Sequence, residues 1–437
     1  AGINVTASHN PKEYNGYKAY WTDGSQVTAP HDRNIIAEVE KITSIDQILT
    51  GANPGNITLL GEEFDEIYLN KVHTLSLSPE SVGKFHDMKI AYTPLHGAGV
   101  RLVPASLRKW GFTNVSLVEE QAVIDGNFPT VESPNPEERK TMAKAIELGS
   151  RLGADLVLAT DPDSDRIGVA LRNAKGEYVL LNGNQTLSLI MAYQLTRWSE
   201  LGRLDGKEFV VKTIVTSQMP NVMAAHFGVK CYDCLTGFKY IARIIRNNEG
   251  KATYIGGGEE SFGYLAGDFV RDKDAVSACS LVAEAAAWTR DTMGLTLYEW
   301  LQKLYVEFGF FREGLVSVVR KGMEGAAEIQ RMMVDYRADP PREIAGSPVV
   351  KINDFKLLES TDVRTGAKTP IEEEASNVLQ WFAADGTVVS VRPSGTEPKI
   401  KFYFGVRAEL ESVADFDRVE AGLDAKIETI KKELKLV

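Results

Sequence analysis

Apolar residues recur at helical spacing through Ile35, Ile36, Val39, Ile42, Ile45 and Ile48, and again between Phe64 and Val72. They predict the closing helices of a first folded unit. From Met88 the pattern changes. MKIAYTP is a short apolar run that predicts a strand, LHGAG a glycine-rich loop, and VRLVPASLRKWGF a helix stopped by Gly111. KTMAKAIELGSRLGA then predicts a helix and DLVLA a short buried strand that ends in DPDSDR. A turn around Lys175 and Gly176 leads to a helix from near Asn184 and to the strands FVVKTIV and ATYIGG, with helices between them. The apolar, Ala-rich run from Val276 to Trp288 predicts a long helix. After it, FFREG opens a charged, Pro-containing stretch that predicts a linker into a last unit. That unit closes with the loop RPSGTEP, the strand KIKFYFGV and a helical tail from Leu410.

The recurring strand, loop and helix order predicts α/β layers for three units and α+β for the fourth. Boundaries are expected at 1–82, 83–182, 183–308 and 309–437. A length of 437 residues agrees, since it exceeds what one hydrophobic core supports. The formal net charge of −11 leaves no basic footprint for nucleic acid or an anionic membrane, so a phosphorylated ligand needs local positive sites. Three cysteines, no apolar stretch near the ~20 residues of a membrane span and no charged-then-apolar leader point to a reducing cytoplasm. The chain opens on AGINVTASHNP without an initiator Met, so a first domain lacking its beginning is expected.

DPDSDR sets Asp161, Asp163 and Asp165 at alternating positions just past a buried strand. Two carboxylates at ~4 Å repel by about 4 kcal/mol at an effective dielectric of 20, so three converging side chains call for a hard cation, naturally magnesium. A solvated acidic loop is the plain alternative. An EF-hand is excluded, because Arg166 stands where its sixth-position Gly belongs and Arg172 where its closing Glu belongs. Arg166 beside a cation suits a phosphate oxygen. In TASHNPKEYNGYK, Ser8 lies in a polar loop beside His9, and the Asn15-Gly16 turn brings Lys18 back toward it. Such a hydroxyl can be a nucleophile, though most serines in surface turns are only turn residues. RPSGTEPKIK offers Arg392, the hydroxyls of Ser394 and Thr396, the backbone at Gly395, and then Lys399 and Lys401, a set suited to a phosphate monoester. GGGEES adds Glu259, Glu260 and Ser261, which can share hydrogen bonds with sugar hydroxyls.

Other features carry less. Cys231 and Cys234 form CYDC with no second pair for zinc, the remaining cysteine being Cys279, so ordinary thiols are expected. Gly97 and Gly99 follow a strand, but Leu102 replaces the third glycine of a dinucleotide fingerprint. The sequons at Asn4, Asn56 and Asn114 read as chance matches.

Taken in order, TASHNPKEYNGYK, ATDPDSDR, LTGFK, GGEES and RPSGTEPKIK resemble the successive signatures of the α-D-phosphohexomutase superfamily. YTPLHGAG and RDKDAV resemble its bacterial phosphoglucomutase/phosphomannomutase branch. The resemblance implies four domains around a central cleft, three of them related mixed-sheet α/β units and the last holding a phosphate-binding loop. It implies transfer of a phosphoryl group between O1 and O6 of a hexose, with Mg2+ as cofactor and hexose 1,6-bisphosphate as activator. Ser8 would carry the phosphoryl group and share the metal with Asp161, Asp163 and Asp165. Lys18 would be the general acid/base, supported by His9 and Arg166. Thr236, Gly237, Glu259 and Ser261 would read the sugar, with Lys273 nearby. Arg392, Ser394, Gly395, Thr396 and Lys401 would hold the phosphate that is not reacting. The family also has a substantial part of its first domain ahead of the serine loop. Within it, GEES leans toward glucose over mannose, and Thr6 stands where amino-sugar mutases tend to carry Ser. A phosphopentose substrate and a non-catalytic sugar-phosphate binder are the alternatives, the second opposed by the intact Ser8, Lys18 and aspartates.

Overall fold

The structure, a computed structural model, describes residues 1–49, 51, 53–320, 322–394 and 398–436. They separate into two units. One comprises Ala1–Lys212, Ala224–Tyr232 and Gly237–Tyr298, the other Thr213–Met223, Asp233–Thr236 and Glu299–Val437.

The first unit begins with a hairpin in which β1 (Gly2–Val5) pairs antiparallel with β2 (Tyr17–Tyr20), Asn4 standing opposite Lys18. Its long loop is closed by the Thr6 N–H donating to Gly16 O at 3.1 Å. A Cβ at residue 16 would fall 2.0 Å from the Thr6 carbonyl oxygen, so glycine alone fits. α1 (His31–Val39) buries none of its residues. The helical spacing through Ile48 therefore outruns the helix. Ser44 and Gln47 form a capping box that turns Ile45–Gln47 into a single 3-10 turn, and Ile42, Ile45 and Ile48 stay exposed. Periodicity alone does not hold a helix that has no face to pack. The second run fares better: α2 (Glu62–His73) buries Leu69 and Val72.

Two mixed sheets follow. α3 (Pro79–Lys84), β3 (Ile90–Thr93), α4 (Gly99–Trp110), β4 (Val115–Leu117), α5 (Ala143–Leu152), β5 (Leu156–Thr160), β6 (Ile167–Arg172) and β7 (Tyr178–Leu180) build the first, in strand order β4-β3-β5-β6-β7. β3 runs parallel to β4 and β5, whereas β6 is antiparallel to both of its neighbours, β5 and β7. β3 and β5 are buried on both faces, which explains their unbroken apolar runs. Gly111 and Gly153 end α4 and α5 in left-handed conformations, as the sequence predicts for Gly111.

The next segment supplies α6 (Gly183–Glu200), β8 (Glu208–Thr213), α7 (Met219–His226), β9 (Lys230–Cys234), α8 (Phe238–Asn248), β10 (Thr253–Gly258), β11 (Tyr264–Ala266) and α9 (Ala275–Met293). Its sheet order is β11-β10-β8-β9, with β10 parallel to β8 and antiparallel to β11. α9 is buried along most of its length, as its Ala-rich run requires. Within it, the wholly buried Glu284 accepts from the Leu77 N–H at 2.9 Å, the Ser78 N–H at 3.0 Å, the Tyr193 hydroxyl at 2.8 Å and the Ser76 hydroxyl. One carboxylate thus ties α9 to α6 and to the entry of α3. Glu284→Ala strands buried donors and is expected to cost about 3 kcal/mol or more, read as a lower thermal midpoint. An unchanged midpoint would refute that role.

The second unit carries most of α10 (Leu297–Phe308), then β12 (Phe310–Val319), α11 (Gly322–Ala338), β13 (Glu343–Ile344), β14 (Ser347–Asp354), β15 (Glu359–Asp362), β16 (Lys368–Pro370), β17 (Leu379–Ala383), β18 (Val388–Pro393), β19 (Lys399–Ala408) and α12 (Phe416–Glu433). The sheet is antiparallel in order β12-β19-β18-β17-β14-β15-β16, with β13 beside β14. FFREG is not a linker. It opens β12, a ten-residue strand paired along its whole length with β19. The helical tail starts at Phe416 rather than Leu410, after a 3-10 turn at Val413–Asp415 capped by Ser412. Mixed sheets with helices, followed by an antiparallel sheet with helices, agree with the expected α/β and α+β classes.

Candidate active site

Two loops meet in the first unit. The hairpin loop holds Ser8 at φ 56°, a left-handed conformation that costs energy for serine. The Ser8 N–H donates to Thr6 Oγ1 at 2.8 Å, and the Asn10 N–H to Ala7 O at 3.1 Å. Ser8 Oγ donates to Asp161 Oδ2 at 3.1 Å and lies 3.1 Å from His9 Nδ1. Lys18 Nζ, from β2, donates to Asp163 Oδ2 at 2.9 Å and to Asp165 Oδ2 at 3.0 Å.

Asp161 follows directly on β5 and is fully buried. Its Oδ1 accepts the N–H groups of Asp165 at 3.0 Å and Arg166 at 2.9 Å, so the side chain folds its own loop around itself. Ser164, at φ 56°, makes the turn. The loop also rests on LHGAG: the Ala98 N–H donates to Pro162 O at 2.8 Å, and a Cβ on Gly97 would fall 2.3 Å from Pro162 Cα. A Cβ on Gly99 would meet Tyr92 Oη at 2.4 Å, Thr160 Oγ1 at 2.5 Å and Ser164 Oγ at 2.9 Å. These glycines serve close packing between two loops, not a dinucleotide.

Oxygens of Asp161, Asp163 and Asp165 all lie within 4.8 Å of one another. The buried Asp163 Oδ1 and Asp165 Oδ1 have no hydrogen-bond partner among the described residues. Buried carboxylate oxygens without donors are what a hard divalent cation requires, so the residues fit one. Burial, then the charges of Asp165 and Asp163, push the Asp161 carboxyl well above its ordinary range. Burial alone would also raise Asp163, but the Lys18 ammonium, Asp161 and the charge of Lys273 together outweigh it and leave that carboxyl low. Burial would lower Lys18 and Lys273, yet Asp165 and Asp163 hold Lys18 above its ordinary value, and Asp165 and Asp272 do so for Lys273.

Lys273 Nζ, from the segment between β11 and α9, reaches Asp165 Oδ2 at 3.2 Å. Gly263 makes room for it, since a Cβ there would lie 2.2 Å from the Lys273 stem. Glu259 is buried, accepts from the Gly237 N–H at 2.8 Å, and is raised by burial against the opposing charge of Lys273. Ser261, half-buried, precedes Phe262, whose carbonyl accepts the Ile167 N–H at 3.0 Å. The GEES segment and the aspartate loop are therefore fastened together.

The remaining sequence-predicted residues belong to the second unit. The buried Thr236 Oγ1 has no hydrogen-bond partner among the described residues. Arg392 on β18 stands opposite Lys401 on β19, and the Ser394 N–H donates to Lys399 O at 2.8 Å, so two strands bring three cationic or hydroxyl side chains to one end of a hairpin. Gly395 and Thr396 lie outside the described residues.

Models of the phosphoglucomutase/phosphomannomutase domains match in succession: domain I at residues 1–46, domain II at 66–176, domain III at 182–308 and the C-terminal domain at 350–423. The phosphoglucomutase of Staphylococcus aureus strain MRSA252 is 34% identical over 431 residues, which is 98% of this chain and 75% of that relative. The chain belongs to the phosphoglucomutase/phosphomannomutase family. It is therefore an enzyme of the phosphohexomutase superfamily, an isomerase class that works by phosphoryl transfer. Solved structures agree in fold. A phosphoglucomutase/phosphomannomutase family protein from Burkholderia thailandensis superposes with a TM-score of 0.65 at 18% identity, covering 98% of this chain and 76% of that one. The N-acetylphosphoglucosamine mutase of Aspergillus fumigatus, solved with GlcNAc-6P and magnesium, gives 0.52 at 14% identity over 97% of this chain and 88% of that one.

In this phosphohexomutase, sequence reasoning missed three residues at the site. Asp272 accepts from Tyr20 Oη and Gln26 Nε2 of the hairpin, both at 2.9 Å, and from Lys273 N and Nζ at 2.9 and 3.0 Å, tying the serine loop to Lys273. Ser133 Oγ donates to His9 O at 2.9 Å, and Glu137 Oε1 accepts from Arg166 Nη1 at 3.1 Å. RDKD contains the first and could have signalled it. The prolines of ESPNPEE, which give a stretch of irregular backbone its course, could have signalled the others.

Proposed function

We propose that the chain interconverts a hexose 1-phosphate and its 6-phosphate, glucose being the preferred sugar, through a phosphoryl group carried on Ser8. The carrying observation is that Ser8 Oγ meets Asp161 across 153 residues of sequence while Lys18 meets Asp163 and Asp165. A nucleophile, a proton carrier and a metal-fitting set stand in one place. The phosphoryl on Ser8 passes to O6 of glucose 1-phosphate, giving the 1,6-bisphosphate. That intermediate turns over without leaving, and Ser8 Oγ takes the phosphoryl from O1, releasing glucose 6-phosphate. Lys18 Nζ holds the proton exchanged with the sugar oxygen, while Arg166 and Lys273 set positive charge against the phosphoryl oxygens. Asp161, Asp163, Asp165 and Ser8 would hold magnesium, which when bound supplies charge neutralisation at the same oxygens. The magnesium and sugar phosphate in the Aspergillus mutase complex support this assignment.

Glu259 and Ser261, with Thr236 and Gly237, are suited to the sugar hydroxyls, and Arg392, Ser394 and Lys401, with Gly395 and Thr396, to the non-reacting phosphate. Three free cysteines suit a reducing cytoplasm. The test is conversion of glucose 1-phosphate, with mannose 1-phosphate in parallel, in Mg2+ and catalytic glucose 1,6-bisphosphate. Turnover of glucose 1-phosphate that stops with EDTA is expected, and a metal-independent rate would defeat the reading. Arg392→Ala should raise KM for the monophosphate about tenfold or more while changing Ser8 phosphorylation by the bisphosphate less, because a charge-assisted contact to the distant phosphate is lost. An unchanged KM removes Arg392 from the site.

A further inference from the structure

The backbone at Arg166 is fixed three ways: its N–H is held by Asp161 Oδ1, it bridges Gly263, and the next N–H is held by Phe262 O. Its side chain has a choice. Nε lies 3.9 Å from Asp161 Oδ2 and 3.8 Å from Asp165 Oδ1, close enough to be attracted yet without a hydrogen bond to either. Asp165 Oδ1 is one of the buried oxygens that has no hydrogen-bond partner among the described residues. What draws the guanidinium the other way is Glu137, which takes Nη1 at 3.1 Å.

Glu137 is itself held by a strap of irregular chain between Asp125 and Thr141. At its near end, Thr130 Oγ1 accepts from Gln121 Nε2 at 2.9 Å and pairs with the buried His96 Nε2 at 2.8 Å. At its far end, Thr141 Oγ1 donates to Ser133 O at 3.0 Å, while Asn135 Oδ1 accepts the Glu137 N–H at 3.1 Å. The strap is therefore anchored on the core of the first mixed sheet, and its acid is presented to Arg166 from a fixed base.

We propose that Glu137 is a positioning residue that keeps the Arg166 guanidinium off Asp161 and Asp165, and so preserves the affinity of the aspartate set for its divalent cation. An arginine and a metal ion compete for the same oxygens. Without Glu137 the guanidinium swings inward to hydrogen-bond Asp165 Oδ1, and a cation must displace it. The proposal rests on the reading of Asp161, Asp163 and Asp165 as the metal set.

The test is calorimetric titration of the whole chain with Mg2+ alone, which needs no turnover, with thermal midpoints recorded alongside. Glu137→Ala is expected to weaken Mg2+ binding roughly tenfold or more, in the range typical of groups that orient metal ligands, and the isosteric Glu137→Gln by less. Adding Arg166→Gln to Glu137→Ala is expected to restore binding, because the internal competitor is gone. A merely structural role for Glu137 predicts no such rescue. If Asp163→Asn abolishes Mg2+ binding but Glu137→Ala and Glu137→Gln leave it unchanged, the proposal fails while the metal reading stands. The same holds if the double variant binds as weakly as Glu137→Ala. If the unaltered chain binds no Mg2+, both fall together.

Discussion

Ser8→Ala is expected to lower conversion of glucose 1-phosphate to glucose 6-phosphate by several orders of magnitude. Transfer without the serine faces one of the slowest uncatalysed reactions in water, and it is the Ser8 hydroxyl that meets Asp161. Incubation with labelled glucose 1,6-bisphosphate should place acid-stable label on a peptide containing Ser8 in the parent chain and none in the variant. Because the Ser8 hydroxyl makes only half-buried contacts, the variant should keep the parent's thermal midpoint. The assignment is falsified if Ser8→Ala keeps parental turnover, or if the label settles on His9.

Asp163→Asn should lose most of the activity, on the order of a hundredfold, with KM for the sugar phosphate changed only slightly. The amide is the same size as the carboxylate, so the loop held by Asp161 should survive. Its charge is gone, and the single oxygen left cannot serve both a cation and Lys18, which Asp163 Oδ2 holds at 2.9 Å. Turnover measured across a Mg2+ series, with a chelated control, is decisive. Full activity of the variant in the chelated buffer would remove the metal from this loop.

Much of this site could be read along the chain because its residues cluster in short motifs set at strand ends. Asp161 and its neighbours follow a buried strand, and Ser8 and Lys18 share one hairpin, so local pattern and turn chemistry suffice. What stayed hidden depends on distant partners. FFREG looked like a linker because the strand that pairs with it, β19, comes at the far end of the same unit. The isoleucines from Ile42 to Ile48 have helical spacing but stay exposed among the described residues, and the capping box at Ser44 decides against a helix. Glu137 and Ser133 sit in an aperiodic stretch, where neither strand nor helix spacing marks a side chain as pointing anywhere.

The glycine contacts of the LHGAG loop bear on how such an enzyme can change through its history. A side chain at residue 97 would strike the backbone of Pro162, which no rotamer can relieve, and one at residue 99 would crowd Tyr92, Thr160 and Ser164 together. Substitutions in either loop are therefore coupled, and drift in one is limited by what the other can yield. For chimaeras assembled from two relatives the rule is geometric: a crossover between residues 92 and 166 parts a matched pair of surfaces, whereas one outside that interval inherits the aspartate loop and its glycine bed as a single piece.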